Sequence, residues 1–245
     1  MKALLKVEWI KTWRTWPMFI MAVGMPVGFF LIYSGMKMYD TTQGQTDFIR
    51  SFMITMTAFS MSSFGIFSFP YMLKEDQTNH WLSYLEHSRI SIYKYYLSKI
   101  FRVLLNFLVS IIVTFMIGAF VRHVEMTPIR WIGTSLLLLM ASLVFLALGL
   151  LIERIKSEQI MSIVGNIAFL GLAILGGSWM PITIFPDWVQ SISKVSPIYH
   201  VNQLAVNFAQ KGQLTWNSLF ITLAYAIIVA GLALFIKQKQ EVESV

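Results

Sequence analysis

Residues 131–152, WIGTSLLLLMASLVFLALGLLI, contain no Asp, Glu, Lys or Arg. A helix rises about 1.5 Å per residue, so this segment covers the ~30 Å hydrocarbon core of a bilayer. No water is available there to satisfy peptide groups, and a helix closes its hydrogen bonds internally. The charged turn 153–158 (ERIKSE) ends the run. The stretch reads as a transmembrane helix, and it sets how the rest of the chain divides.

Five further runs have the same character: 17–36, 49–73, 100–121, 160–178 and 216–236. The run 49–73 is the most polar, yet it holds no ionisable group after Arg50. Composition agrees, with 56% hydrophobic and 13% charged residues, against about 25% charged in an average soluble domain. So few charges do not solvate a soluble protein of this size, and lipid is the remaining solvent. The expected fold is an all-α integral membrane protein with six transmembrane helices in one domain. Pro17 opens the first run without a small-residue cleavage site, which reads as a retained span.

The net charge of +7 tempts a nucleic-acid reading, but its distribution argues otherwise. Segments 1–16, 74–99, 153–158 and the tail after 236, together with Arg102 just inside the third run, carry 13 of the 19 Lys and Arg residues; the other connections carry six. By the positive-inside rule both termini belong in the cytoplasm, and no nucleic-acid partner is expected.

Four segments do not span. In 1–16 (MKALLKVEWIKTWRTW), Leu5, Trp9, Trp13 and Trp16 fall on one helical stripe, and Glu8, Lys11 and Thr15 take the opposite side. This predicts an interfacial helix; an anchoring flank of span 1 is the plainer alternative. The loop 74–99 mixes charges with Trp81, Leu82 and Leu85, anchors a solvated loop does not need. A partner-docking surface and a helix lying on the membrane both fit. The turn 153–158 reads as a tight connection that serves only orientation. The long stretch 179–215 is divided by Pro181, Pro186 and Pro197. Trp188, Val189, Ile192 and Val195 recur at helical spacing, then Val201, Leu204, Ala205 and Phe208. Two helices too short to span, forming a broken external hairpin, are expected.

Chemistry is conspicuous by absence. There is no G-x-x-x-x-G-K-[ST] loop to cradle a nucleotide and no H-E-x-x-H or G-x-S-x-G motif. With no cysteine, disulfides and thiolate chemistry are excluded. No catalytic, cofactor or metal residue is expected, and mid-span ionisable groups, the usual coupling device of ion-driven transporters, are lacking. Asn166 is the strongest polar intruder, expected to bond between helices. Thr55, Ser60, Ser62 and Ser63 in the Met-rich second run either bond their own helix or line a pathway for an amphiphile.

Two local patterns give this order of elements a relative. Glu75, Leu85, Ser88-Arg89-Ile90-Ser91 and Leu97-Ser98-Lys99 follow one another after span 2. Gly176-Gly177-Ser178-Trp179-Met180-Pro181, Phe185-Pro186-Asp187-Trp188 and Ser196-Pro197-Ile198-Tyr199 lie between spans 5 and 6. Taken together, the chain resembles the membrane subunit of a type-2 ABC exporter; Thr78-Asn79 stands where that family has Gly-Thr, and its loop Pro is missing. The resemblance implies a permease in the bacterial plasma (inner) membrane without its own ATP site. Segment 74–99 becomes a coupling helix, with Glu75, Trp81, Leu82, Leu85 and Arg89 facing a separate ATPase. Two ATPase copies holding ATP-Mg, a second permease subunit, identical or homologous, and membrane lipids are the implied partners. Spans 2 and 5 are then near the pathway, with Thr55, Ser60, Ser62, Ser63 and Asn166 as candidate lining. A non-energised membrane protein, such as a sensor partner or channel, is the competing class; an integral membrane lipid enzyme has less in its favour.

Overall fold

The computed structural model describes residues 2–81, 84, 91–179 and 182–242. Eleven α-helices lie among them, and no strand. α1 (Lys2–Arg14) precedes α2 (Trp16–Ser34), which is span 1. Span 2 is composite: α3 (Thr42–Ser63), a π-helical turn (Phe64–Ser68) and α4 (Phe69–Thr78). Span 3 is α5 (Ile92–Val121). Span 4 combines α6 (Pro128–Ala141) and α7 (Leu143–Glu153), which meet at Ser142. Span 5 is α8 (Glu158–Leu175). The short helices α9 (Asp187–Val195) and α10 (Pro197–Lys211) lead to α11 (Trp216–Val242), span 6. Six helices are therefore long and apolar enough to cross a membrane, and the chain is a multi-pass membrane protein.

The helix ends follow local chemistry. The Thr41 hydroxyl accepts from Gly44 N at 3.2 Å to open α3, and Ser157 does the same for Ile160 N at 3.4 Å at the start of α8. Pro128 and Pro197 sit at first helical positions, where a missing N–H costs nothing. Gly212, at φ +69°, ends α10 with its N–H on the Phe208 carbonyl.

Two helices extend past their apolar runs. α3 begins at Thr42, seven residues before the run opens at 49, and α5 begins at Ile92, eight residues before 100. Segment 74–99 is thus largely helical at both ends: α4 carries residues 74–78 and α5 carries 92–99. Lys94 and Lys99 belong to a helix, not to a loop.

Span 2 is the hub. Its buried share is 78%, while the other spans range from 22 to 50%. Small residues and hydroxyls let its neighbours close in. Ser60 Oγ donates to Ala22 O of span 1 at 2.8 Å, and Ser110 of span 3 donates to Ser60 at 2.8 Å. Between spans 2 and 4 the backbones touch. A Cβ on Gly149 would stand 2.0 Å from Gly65 O. The π turn explains the contact: the Phe69 N–H goes to Phe64 O, and Pro70 has no N–H to offer Gly65. The Gly65 carbonyl faces the bare Cα of Gly149 instead.

The two ends of the bundle are distinct. Lys11 pairs with Asp76, Lys237 Nζ reaches Tyr96 OH at 3.5 Å, and Gln240 donates to Arg154 O at 3.1 Å. Both termini, both ends of segment 74–99 and the turn 153–158 therefore share one end. At the other end lie α9 and α10. α10 buries Ile198, Val201, Leu204 and Ala205, whereas α9 leaves Trp188, Ile192 and Val195 exposed. The former packs into the bundle and the latter lies along its outside.

Candidate coupling site

The termini end holds a knot of buried charge that hydropathy alone does not reveal. It joins α1, the end of span 2 and the start of span 3. On α1, Glu8 and Lys11 lie on one face, continued by Thr15 just past the end of the helix; on α5, Tyr95, Lys99 and Arg102 recur at four- and three-residue spacing and share another. Asp76 comes from the last turn of α4.

Lys99 is at the centre, fully buried. Its Nζ lies 2.5 Å from Asp76 Oδ2 and 2.7 Å from Glu8 Oε1. Arg102 Nη1 donates to Glu8 Oε2 at 3.1 Å, and its Nη2 to Thr15 Oγ1 at 3.1 Å. Asp76 also accepts from Tyr95 OH and from Lys11 Nζ, both at 3.0 Å. Two carboxylates thus face three cations: Asp76 has partners on α1 and α5, and Glu8 holds two cations of α5. Buried ions hold their place only when paired in this way.

The knot amends the reading of the N-terminal helix. Trp9, Trp13 and Trp16 point away from the protein as the stripe requires. The opposite face is not simply solvated, however: Glu8 is buried and supplies the knot. The Trp stripe anchors α1 outward while ion pairs clamp it inward.

The turn 153–158 also needs correction, because it does more than orient the chain. Glu153 is buried. It pairs with Arg154 and accepts from Gln77 of α4. Lys74 Nζ donates to Ile155 O at 3.3 Å, and Thr78 reaches Glu158 at 3.5 Å. The last turns of span 2 are thereby tied to spans 4 and 5 as well as to span 3 and α1.

Of the residues singled out for docking, Glu75 is exposed at the end of α4, next to buried Asp76. After it the chain turns at His80, φ +53°, and Trp81 stacks on Tyr84 with ring centroids 5.5 Å apart. Leu82, Leu85 and Arg89 lie outside the described residues. The candidate lining residues separate. Thr55 borders a cavity at the far end of the bundle. Ser60 is used between spans 1, 2 and 3, and Ser62 bonds its own helix through Phe59 O at 2.7 Å. Ser63 borders an apolar groove with Met18, Met21 and Met25 of span 1. Asn166 bonds Ser162 O of its own helix at 2.8 Å, not another helix, and is exposed on the outer face of span 5.

These features define a polytopic membrane protein whose buried charges, among the described residues, are concentrated at the end that holds both termini. The model of the ABC-2 type transporter family matches residues 1–209, and the chain belongs to that family: it is an ABC transporter permease, a transport subunit and not an enzyme by itself. It is also similar to a Bacillus subtilis (strain 168) protein named "Putative transport permease YvfS", with 26% identity over 217 residues, spanning 89% of this chain and 88% of that one. The family implies an ABC ATPase as partner and, usually, a dimer of permeases.

Proposed function

We propose that this chain is the permease of an ABC exporter for an amphiphilic substrate, worked by a separate ATPase that docks on segment 74–99. In this reading the termini end is cytoplasmic, which the Lys and Arg distribution supports. The supporting observation is the adjacency of Glu75 and Asp76. One faces out, where an ATPase groove has access; the other holds Lys99 at 2.5 Å and Lys11 at 3.0 Å. A displacement of the docking segment is passed through Asp76 to α1 and span 3, and through Gln77 and Lys74 to span 4. Packed elements move as rigid bodies, so a shift at one end becomes a tilt of several spans.

Exposure of Asn166 and the span 1 methionines, with half-buried Ser63 beside them, supports a second permease subunit on the span 1 and span 5 face, where a polar amide would otherwise be turned towards lipid. Flexible methionines along that seam suit substrates of varied apolar shape. Replacement of residues 79–91 by a Gly-Ser linker of equal length tests the docking claim. Co-purification of the ATPase should be lost while the permease remains monodisperse. Undiminished co-purification contradicts the assignment.

A further inference from the structure

At the far end of the bundle, between the first turns of span 2 and the α9–α10 hairpin, lies a cavity of about 520 Å³. That is within the usual range for small-molecule sites. Phe48, Phe52 and Tyr39 form one wall and Tyr199 the other. Asn202, on α10, also lines it and is only 6% exposed. Its Nδ2 donates to Gly176 O at 2.8 Å, which fixes the orientation of the amide. The oxygen Oδ1 is consequently the atom left over, buried and without a protein partner.

The neighbouring amide nitrogens are committed to the protein. Gln210 Nε2 donates to Ser51 Oγ at 2.7 Å, Gln190 Nε2 to Phe185 O at 2.8 Å, and Gln203 Nε2 to Tyr199 OH at 3.3 Å. Asn202 Oδ1 is thus the buried acceptor left open to a guest between aromatic walls. Its two charged lining residues, Asp47 and Lys194, are of opposite sign, so the lining carries no formal net charge. A neutral guest therefore fits better than an ion.

We propose that this cavity binds a small uncharged amphiphile, with a flat apolar body between the aromatic walls and an N–H or O–H donated to Asn202 Oδ1. The site lies within one chain and needs no ATPase, so its failure leaves the coupling reading untouched. The test is fluorescence titration of 1-aminoanthracene into the purified chain in nanodiscs. 1-Methylanthracene serves as the comparator without a donor, and empty nanodiscs as the blank. Saturable binding is expected, weakened at least tenfold by Thr183→Trp, which fills the mouth from an exposed position. Asn202→Leu should weaken aminoanthracene about tenfold, the value of one hydrogen bond, and methylanthracene less than twofold. If Asn202→Leu does not fold, Thr183→Trp decides. Uptake no greater than in empty nanodiscs, or binding that Thr183→Trp leaves unchanged, overturns the proposal.

Discussion

Lys99 and Asp76 stand 2.5 Å apart across the join between spans 2 and 3, both almost wholly buried. In sequence they flank residues 77–98, Asp76 in the last turn of α4 and Lys99 near the start of α5. The pair therefore closes the base of that segment. Because Glu8 also holds Lys99, the same closure fastens the N-terminal helix.

Lys99→Met leaves Glu8 and Asp76 buried with fewer counterions. Breaking one side of a buried ion pair costs about 3–5 kcal/mol, which thermal unfolding in detergent would register as a large fall in midpoint. The double variant Lys99→Met/Asp76→Asn should be less destabilised than the sum of the two singles, since the charge left over is removed. Strict additivity would mean that the two groups do not interact.

Gly149 and Gly65 are a steric pair. Gly149→Val forces spans 2 and 4 apart at the π turn, because even the first carbon of the new side chain falls 2.0 Å from Gly65 O. Overpacking of this kind costs about 1–3 kcal/mol or more. A Gly171→Val control, at a position with open space around it, should leave the unfolding midpoint nearly unchanged.

Ser60→Ala removes a donor to Ala22 O and an acceptor for Ser110. Hydrogen bonds between membrane helices average roughly 0.6 kcal/mol and reach about 1.7, so a loss of about 1 kcal/mol is expected. Ser62→Ala, which removes a hydrogen bond within its own helix only, should cost less in the same assay.

His200, on α10, is buried beside Ser218, with Nδ1 3.4 Å from its hydroxyl. Burial is the main influence, and it holds the imidazole below its ordinary pKa of 6.5. A group whose folded pKa is depressed favours the fold while neutral. Its contribution is present above about pH 6.5 and is lost as pH falls below that value, where the unfolded chain takes the proton first. Stability should therefore decline on acidification below about pH 6.5, and His200→Gln should flatten that part of the curve. An unchanged pH profile in the variant would remove His200 from the account.

Much of the architecture was legible in the amino-acid order, because hydrocarbon length and charge exclusion leave few options. The run 131–152 has no charge to place anywhere else, and Pro186 and Pro197 break the hairpin where the structure breaks it. The knot was harder to see. Lys99 and Arg102 sit at the edge of an apolar run, where Lys and Arg ordinarily mark the water boundary, so their pairing with Glu8 some ninety residues away leaves no trace in hydropathy. One signal was available. A helix that turns a Trp stripe to lipid must turn Glu8, Lys11 and Thr15 towards something, and the face carrying Tyr95, Lys99 and Arg102 has the complementary charge. Span 2 shows the opposite difficulty: its serines look alike in sequence, yet Ser60 bridges three spans and Ser62 bonds only to its own.

The central claim is that movement of the docking segment reaches α1 through Asp76. The chain has no native cysteine, so paired labels at Lys6→Cys and Gln43→Cys, exposed at opposite ends, are free of background. Their distance distribution would be measured by pulsed electron resonance in the nanodisc complex with its ATPase, before and after trapping with ATP and vanadate. The account predicts a shifted distance in the otherwise native chain and no shift once Asp76→Asn is added, with ATPase binding retained. An equal shift with and without Asp76→Asn would contradict it.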